Sequence, residues 1–266
     1  MSLQFTILGC GSSGGVPRIG GHWGQCDPDN PKNRRRRCSL LVRRSGPDGT
    51  TNVLIDTSPD MRQQLLDAQV GWIDGVLYTH EHADHIHGID DLRVVAINGR
   101  QRINVWAGQR THDHLLRSFG YCFEQPPGSE YPPICDANLL HPDRNTTVEG
   151  PGGPITARPF EQIHGSISSL GFRIGGLAYS SDLHDLPDRS LETLTGLDIW
   201  IVDALRRTPH PSHFSLDDAL GWIERLKPKR AILTNMHVDL DYDTLRSELP
   251  STVEPAYDGL TITLDN

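Results

Sequence analysis

Apolar residues fall in short clusters along this chain, each closed by Gly, Pro, Asp, Asn or Ser, which is the rhythm of strands and short helices. Strands are predicted at 4–8, 39–43 and 53–56, then a helix after Ser58-Pro59, where Ser would cap and Pro would take the first turn. A buried strand at 75–78, a helix at 89–97, a strand at 103–107 and a helix at 109–119 follow. From 120 to 154 the chain is rich in Pro, Gly, Asn and Asp and reads as a long excursion near a functional site. Strands resume at 155–160, 170–174, 177–180, 198–202, 231–233 and 260–264, with helices at 215–226 and 242–249. Runs of strands in each half, with helices interposed, predict an α/β (α+β) fold of two packed sheets covered by helices. No internal repeat or low-complexity tract interrupts the pattern.

Composition narrows the setting. With 266 residues, 36% of them hydrophobic, the chain can build a large core, and no apolar stretch approaches the ~20 residues of a membrane span. The first residues carry no basic region followed by a long apolar segment, so no secretory signal is expected. Five cysteines without a paired motif fit a reducing, cytoplasmic setting. The run Arg34-Arg35-Arg36-Arg37 invites a nucleic-acid reading, but the net charge of −9 would repel a polyanion outside a local patch. A solvated or salt-bridged lead-in to the next strand is the expected role of those arginines, and nucleic acid is not the expected partner.

The candidate chemistry lies in Tyr78-Thr79-His80-Glu81-His82-Ala83-Asp84-His85, directly after the apolar run Gly75-Val76-Leu77. An extended chain past Tyr78 would point His80 and His82 to the same side, where they can share one ion, and Asp84 and His85 in the following turn could reach a second. Imidazole and carboxylate suit Zn²⁺, Mn²⁺ or Fe²⁺, and the absence of cysteine from the cluster argues against a closed structural zinc site.

This run resembles the H-x-H-x-D-H signature of the metallo-β-lactamase superfamily, and the resemblance extends along almost the whole chain. It implies a single four-layer αββα domain over 1–266. It implies that Asp56, in Leu54-Ile55-Asp56-Thr57, braces the histidine loop, that His164 completes the first ion's histidines, and that Asp182, in Ser180-Ser181-Asp182, bridges two divalent ions, Mn²⁺ or Zn²⁺. The last ligand is expected in Thr234-Asn235-Met236-His237. Here the commonest pattern has histidine at the place of Asn235, and His237, two residues on, is the expected ligand.

Two further segments resemble the phosphoribosyl cyclic phosphate phosphodiesterase branch. His213 is similar to the extra histidine that serves as general acid, so the expected catalytic residues are His213 and Asp84. The opening turn, Gly9-Cys10-Gly11-Ser12-Ser13-Gly14-Gly15-Val16-Pro17, lets backbone N–H groups approach an anion, yet lacks the Lys-Ser/Thr ending of a P-loop. Arg206, Arg207 and Ser13 are the candidate substrate contacts, Arg206 and Arg207 through bidentate hydrogen bonds to a phosphate. Three cysteines and a histidine hold an accessory zinc in that branch. Here only Cys26 matches, with Gly21, Trp23 and Val238 at the other places, so that accessory site is not expected. The expected function is hydrolysis of a small, cyclic or linear, phosphodiester. A thioester, lactam or RNA hydrolase and a non-catalytic metal-dependent binding protein are the alternatives. The expected partner is a small phosphorylated substrate or nucleotide, with homodimerisation open and no membrane.

Overall fold

In the computed structural model, which describes residues 2–142 and 144–265, the chain divides into two compact units. One is built from Met1–Leu8, Ser39–Thr156 and Thr261–Asn266, the other from Gly9–Cys38 and Ala157–Leu260.

In chain order the elements are β1 (Ser2–Gly9), β2 (Ser39–Gly46), β3 (Gly49–Ile55), α1 (Met61–Asp67), β4 (Gly75–Leu77), α2 (Ala83–Ile86), α3 (Leu92–Gly99), β5 (Ile103–Ala107), α4 (Gln109–Ser118), β6 (Cys135–Leu139) and β7 (Thr146–Val148). There follow β8 (Ile155–His164), β9 (Ile167–Ile174), β10 (Leu177–Ser180), α5 (Asp188–Leu191), β11 (Ile199–Asp203), α6 (Leu216–Leu226), β12 (Arg230–Thr234), α7 (Tyr242–Glu248), β13 (Val253–Pro255) and β14 (Thr261–Asp265). The two sheets run β14-β1-β2-β3-β4-β5-β6 and β13-β12-β11-β10-β9-β8-β7.

In the first unit β1 pairs antiparallel with β14 and β2 with β3, whereas β3, β4, β5 and β6 run parallel. Val53, Leu54, Ile55, Val76 and Leu77 are wholly buried, as parallel strands covered on both faces require. Each such side chain contributes about 1.5–3 kcal/mol by leaving water. Two expectations are corrected here. The helix expected after Ser58-Pro59, with Ser58 as its cap, starts at Met61, because Ser58 is spent on a tight turn: its carbonyl accepts from Met61 N–H and its hydroxyl from Asp60 N–H. The excursion expected at 120–154, apart from Asp143, which lies outside the described residues, carries β6 and β7. β6 is an edge strand in which Asp136 and Asn138 alternate with apolar residues and disguise a strand pattern.

In the second unit β8 and β9 form a hairpin, β9 and β10 are antiparallel, and β10, β11, β12 and β13 are parallel. Trp200, Ile201, Val202, Ile232 and Leu233 make its fully buried centre, with Trp200 Nε1–H donating to Ser180 Oγ at 3.0 Å. Helix α6 begins with a capping box: Ser215 Oγ accepts from Asp218 N–H at 3.2 Å, and Asp218 Oδ2 accepts from Ser215 N–H at 3.0 Å.

The arginine run is divided by packing. Arg35 is buried and donates to the carbonyls of Leu240 at 2.7 Å and His237 at 3.4 Å, while Arg36 pairs with Asp258 at 3.3 Å and Arg34 lies over Trp23. Val16, Trp23, Cys26 and Val238 pack together, and the Cys26 thiol donates to the Val238 carbonyl at 3.4 Å. No helix among the described residues is long and apolar enough to cross a membrane.

Polar residues gather where strands end. Asp56 follows β3, the histidine run follows β4, His164 closes β8, Asp182 follows β10, Asp203 closes β11 and Asn235 follows β12. Carboxyl ends of parallel strands are where such folds place ligands.

The turn that receives the histidine run is tight. Gly88 N–H donates to the Thr57 carbonyl at 2.8 Å, and a Cβ on Gly88 would stand 2.1 Å from the Ser58 carbonyl oxygen. Gly88→Ala is therefore expected to destabilise the fold by about 1–3 kcal/mol through forced backbone movement, read as a lower denaturation midpoint in urea. An unchanged midpoint would mean that the turn yields freely.

Candidate metal centre

Asp56 anchors the histidine run. It is wholly buried and its Oδ1 accepts from Thr79 N–H at 2.8 Å, while Oδ2 accepts from the Thr79 hydroxyl at 2.8 Å and from His85 Nδ1–H at 2.7 Å. Its backbone sits in the left-handed region, φ 63°, which turns the chain sharply after β3. Burial pushes the Asp56 carboxyl above its ordinary value, and His85 with the Thr79 donors opposes that push.

These bonds settle which ring nitrogens carry protons. The Thr79 hydroxyl spends its hydrogen on Asp56, so it can only accept from His80 Nδ1–H, at 2.9 Å. His85 Nδ1 is likewise the donor. The lone pairs of His80 and His85 are thereby left on Nε2. His82 Nδ1 lies 3.0 Å from His80 Nε2, and Asp84 Oδ2 lies 3.4 Å from His85 Nε2. Two donor atoms about 3–4 Å apart are spaced as neighbouring ligands of one ion with bonds of about 2.0–2.2 Å. The histidine run thus presents the expected four residues, His80, His82, Asp84 and His85, in a form that fits a divalent cation. Outside them, Glu81 takes an ion pair from Arg110 and a hydrogen bond from Thr111 Oγ1 at 3.3 Å, tying the loop to α4.

In the second unit His164 ends β8 and donates from Nδ1 to the Ser212 carbonyl at 2.6 Å, which again leaves the lone pair on Nε2. That nitrogen lies 4.0 Å from Asp182 Oδ2. His213 Nδ1 lies 3.7 Å from the same oxygen and 2.8 Å from Asp203 Oδ2. His164, Asp182 and His213 offer three ligand atoms within 4.8 Å of one another, a donor set that suits a metal ion. Ring centroids of His164 and His213 are 4.6 Å apart, and His210, 5.0 Å from His213, is held by Ser212.

Asp203 has no surface exposure. Burial pushes its carboxyl up to about 7, against the pull of His213 and of the Leu183 N–H that donates to Oδ2 at 3.1 Å. The sequence reading passed over this residue, although the signal that marked Asp56 and Asp182, an acid at the end of an apolar run, is present at Asp203 too.

The last ligand expected from the sequence stands apart. His237 Nδ1–H donates to Asp239 Oδ1 at 2.8 Å, and its Nε2 faces the Arg18 guanidinium. Among the described residues it is not in the group formed by His164, Asp182 and His213. Asn235 is nearer that group: it is buried, its φ is 59°, and its side-chain amide nitrogen lies 3.1 Å from His213 Nδ1.

The expected substrate contacts are dispersed. Arg206 folds back onto the carbonyls of Thr208 and Pro209, at 3.1 and 2.7 Å, and Arg207 pairs with Glu248 at 2.7 Å. Ser13 is exposed in the glycine-rich turn, whose backbone is spent on Arg36 and Met236: Gly11 N–H donates to the Arg36 carbonyl at 2.8 Å and Ser12 N–H to the Met236 carbonyl at 3.2 Å. Each guanidinium thus already has a partner within the chain.

Comparison with known proteins agrees with this arrangement. Residues 51–236 match the family model of the β-lactamase superfamily domain. Over 99% of its length the chain is 33% identical to an octanoyltransferase of Porphyromonas gingivalis, but it spans only about half of that protein, 52%. Among solved structures it is similar to a new diphosphatase from the PhnP family, with 36% identity, a TM-score of 0.86 and coverage of 99% of this chain and 98% of that one. It shares its fold with Zn²⁺-bound PqqB from Methylobacterium extorquens, at 18% identity, a TM-score of 0.77 and coverage of 98% and 100%.

If Asp56 orients the histidines as described, Asp56→Asn should strip most bound divalent metal from the protein, because an amide nitrogen would face either Thr79 N–H or His85 Nδ1–H. Metal content after dialysis measures this, and full retention would show that the histidine run holds its form without the carboxylate.

Proposed function

The chain belongs to the β-lactamase superfamily, and on that footing we propose that it is a binuclear metal-dependent phosphodiesterase acting on a small phosphodiester, a cyclic ribose phosphate or a relative. In this reading His80, His82 and His164 serve one ion, Asp84 and His85 serve the other, and Asp182 serves both. When bound, such ions supply Lewis acidity and a water acidic enough to attack phosphorus at neutral pH.

The observation that carries the choice of phosphodiester chemistry is the His213–Asp203 pair. Asp203 Oδ2 at 2.8 Å fixes His213 Nδ1 as the donor, so a protonated His213 carries its second hydrogen on Nε2, the proton it would deliver. An alkoxide leaving group requires that proton. Thioester opening needs it less, since a thiolate departs without a proton; a lactam nitrogen needs one too, so the pair favours phosphodiester over thioester chemistry. Asp203 acts through His213 and is a positioning residue.

The similarity to a diphosphatase supports a second reading, in which the leaving group is itself a phosphate and departs without an added proton. The two readings give different outcomes in one variant. His213→Ala should slow an alkyl phosphodiester by about 10²–10⁴-fold and slow cleavage of a diphosphate ester far less. Equal loss on both would remove the general-acid role. Octanoyl transfer is named for a protein about twice as long as this chain. A thioester beside bis(p-nitrophenyl) phosphate and nitrocefin, each assayed with Mn²⁺ and Zn²⁺ and again with EDTA, covers that rival. Turnover of the thioester alone would overturn the phosphodiesterase reading.

For the ligand set, the engagement of both His237 nitrogens supports a reading in which that residue is not a ligand. Asp182→Ala is expected to lose metal and turnover together, whereas His237→Ala should keep its metal content by mass spectrometry. Loss of an ion in His237→Ala would restore the assignment made from the sequence.

A further inference from the structure

Strand β8 carries a glutamine at a position where an apolar side chain would pack at less cost. Gln162 is buried, and so is Ser169, which stands opposite it in the β8–β9 hairpin. The Ser169 hydroxyl donates to the Asp182 carbonyl at 2.6 Å and accepts from Gln162 Nε2–H at 3.0 Å, and the same amide nitrogen lies 3.5 Å from the Asp182 carbonyl oxygen. Because the serine spends its one hydrogen on Asp182, only the nitrogen end of the amide can face it. The oxygen end is left against Gly171, where a Cβ would stand 2.5 Å from Oε1, and among the described residues it meets no donor. A buried carbonyl oxygen without a donor costs free energy that a methionine of similar size would avoid, so packing does not account for the glutamine.

What Gln162 and Ser169 hold is one peptide group. The Asp182 carbonyl and the Leu183 N–H belong to the same trans peptide, which points them in opposite directions. Ser169 takes the carbonyl, and the N–H donates to Asp203 Oδ2 at 3.1 Å, so the plane is pinned from both sides and cannot rotate without breaking a buried bond. Asp203, the far anchor, is the acid that holds His213 at 2.8 Å. Gln162 also precedes His164 by two residues and shares its face of β8. One strand therefore carries His164 itself and, through Ser169, the grip on Asp182.

We propose that Gln162 and Ser169 form a clamp on the Asp182–Leu183 peptide that sets the separation of His164 Nε2 and Asp182 Oδ2, 4.0 Å in this structure, for ion binding. Both act through Asp182 and are positioning residues. The clamp rests on the reading of His164 and Asp182 as ligands, and it predicts that ion affinity and fold stability separate when the glutamine is replaced.

The test strips the full chain with EDTA and measures two quantities for each variant: Zn²⁺ affinity, by competition with a chromophoric chelator, and the urea midpoint of the metal-free protein. Gln162→Met should weaken Zn²⁺ about tenfold, the lower end of the loss when a residue that orients a ligand is removed, while its midpoint stays at or above that of the wild type. Ser169→Ala should weaken Zn²⁺ by about 10–100-fold, and Ser169→Thr, which restores the hydroxyl, should recover most of that loss. Ser168→Ala, at the exposed neighbouring position that donates to Glu161, should change neither quantity. Unchanged affinity in Gln162→Met overturns the clamp, and so does a loss of affinity accompanied by a lower metal-free midpoint, the mark of a purely structural role. A wild type that binds no Zn²⁺ overturns the ligand reading and the clamp with it, whereas tight binding shared by the wild type, Gln162→Met and Ser169→Ala overturns the clamp alone.

Discussion

A carboxylate enclosed by apolar strands costs several kcal/mol unless its oxygens are paired, and Asp56 is enclosed with both of its oxygens engaged. Its three donors all come from the histidine run: Thr79 N–H, the Thr79 hydroxyl and His85 Nδ1–H. The run cannot relax away from the end of β3 without leaving that charge bare, so the order of the loop follows from the cost of breaking it. The parallel pairing of β3 with β4, in which Ile55 stands opposite Leu77, sets the acid and the histidines at the same sheet edge. Thr79 then passes the constraint one bond further, to His80.

The second unit meets the same problem only in part, since both donors of its enclosed acid go to one oxygen, Oδ2. There Asp203 is the enclosed acid, held by Leu183 N–H and His213, and it stands opposite Thr234 where β11 and β12 end together. His164 takes its orientation from a backbone carbonyl, that of Ser212, in the loop that also carries His213. One short segment therefore sets the tautomer of His164 and the position of His213. A substitution that shifts Ser212 would disturb both.

How much of this was legible in the sequence depended on whether the partners are close in the chain. His80, His82, Asp84 and His85 are close together, and the apolar run before them located them at a strand end. His164 and Asp182 could be found by order along the family pattern. Ser212 could not, because a backbone carbonyl has no side-chain signature, and Asp203 was passed over because its partner lies ten residues on, in a loop. Strands β6 and β13 were missed for different reasons: one alternates with Asp and Asn at an edge, the other has three residues and ends in proline. The four arginines look equivalent in sequence. Only packing reveals that Arg35 goes inside, donating to Leu240 and His237 carbonyls, while its neighbours stay partly exposed or exposed.

His237 matches the expected ligand in residue type and order but differs from the other histidines in what surrounds it. Like His80, His85, His164 and His213, it has its Nδ1 tied to an oxygen. The tether alone would mark all five as oriented metal ligands, since second-sphere bonds of this kind leave Nε2 exposed for an ion. What separates them is the group that Nε2 meets. For His164 that group is a carboxylate, whose charge attracts a cation, and for His85 it is Asp84. For His237 it is the guanidinium of Arg18, a permanent cation that would repel a metal ion from the same lone pair. A metal ion at His237 would first have to displace Arg18, which is why our proposed ligand set leaves this histidine out.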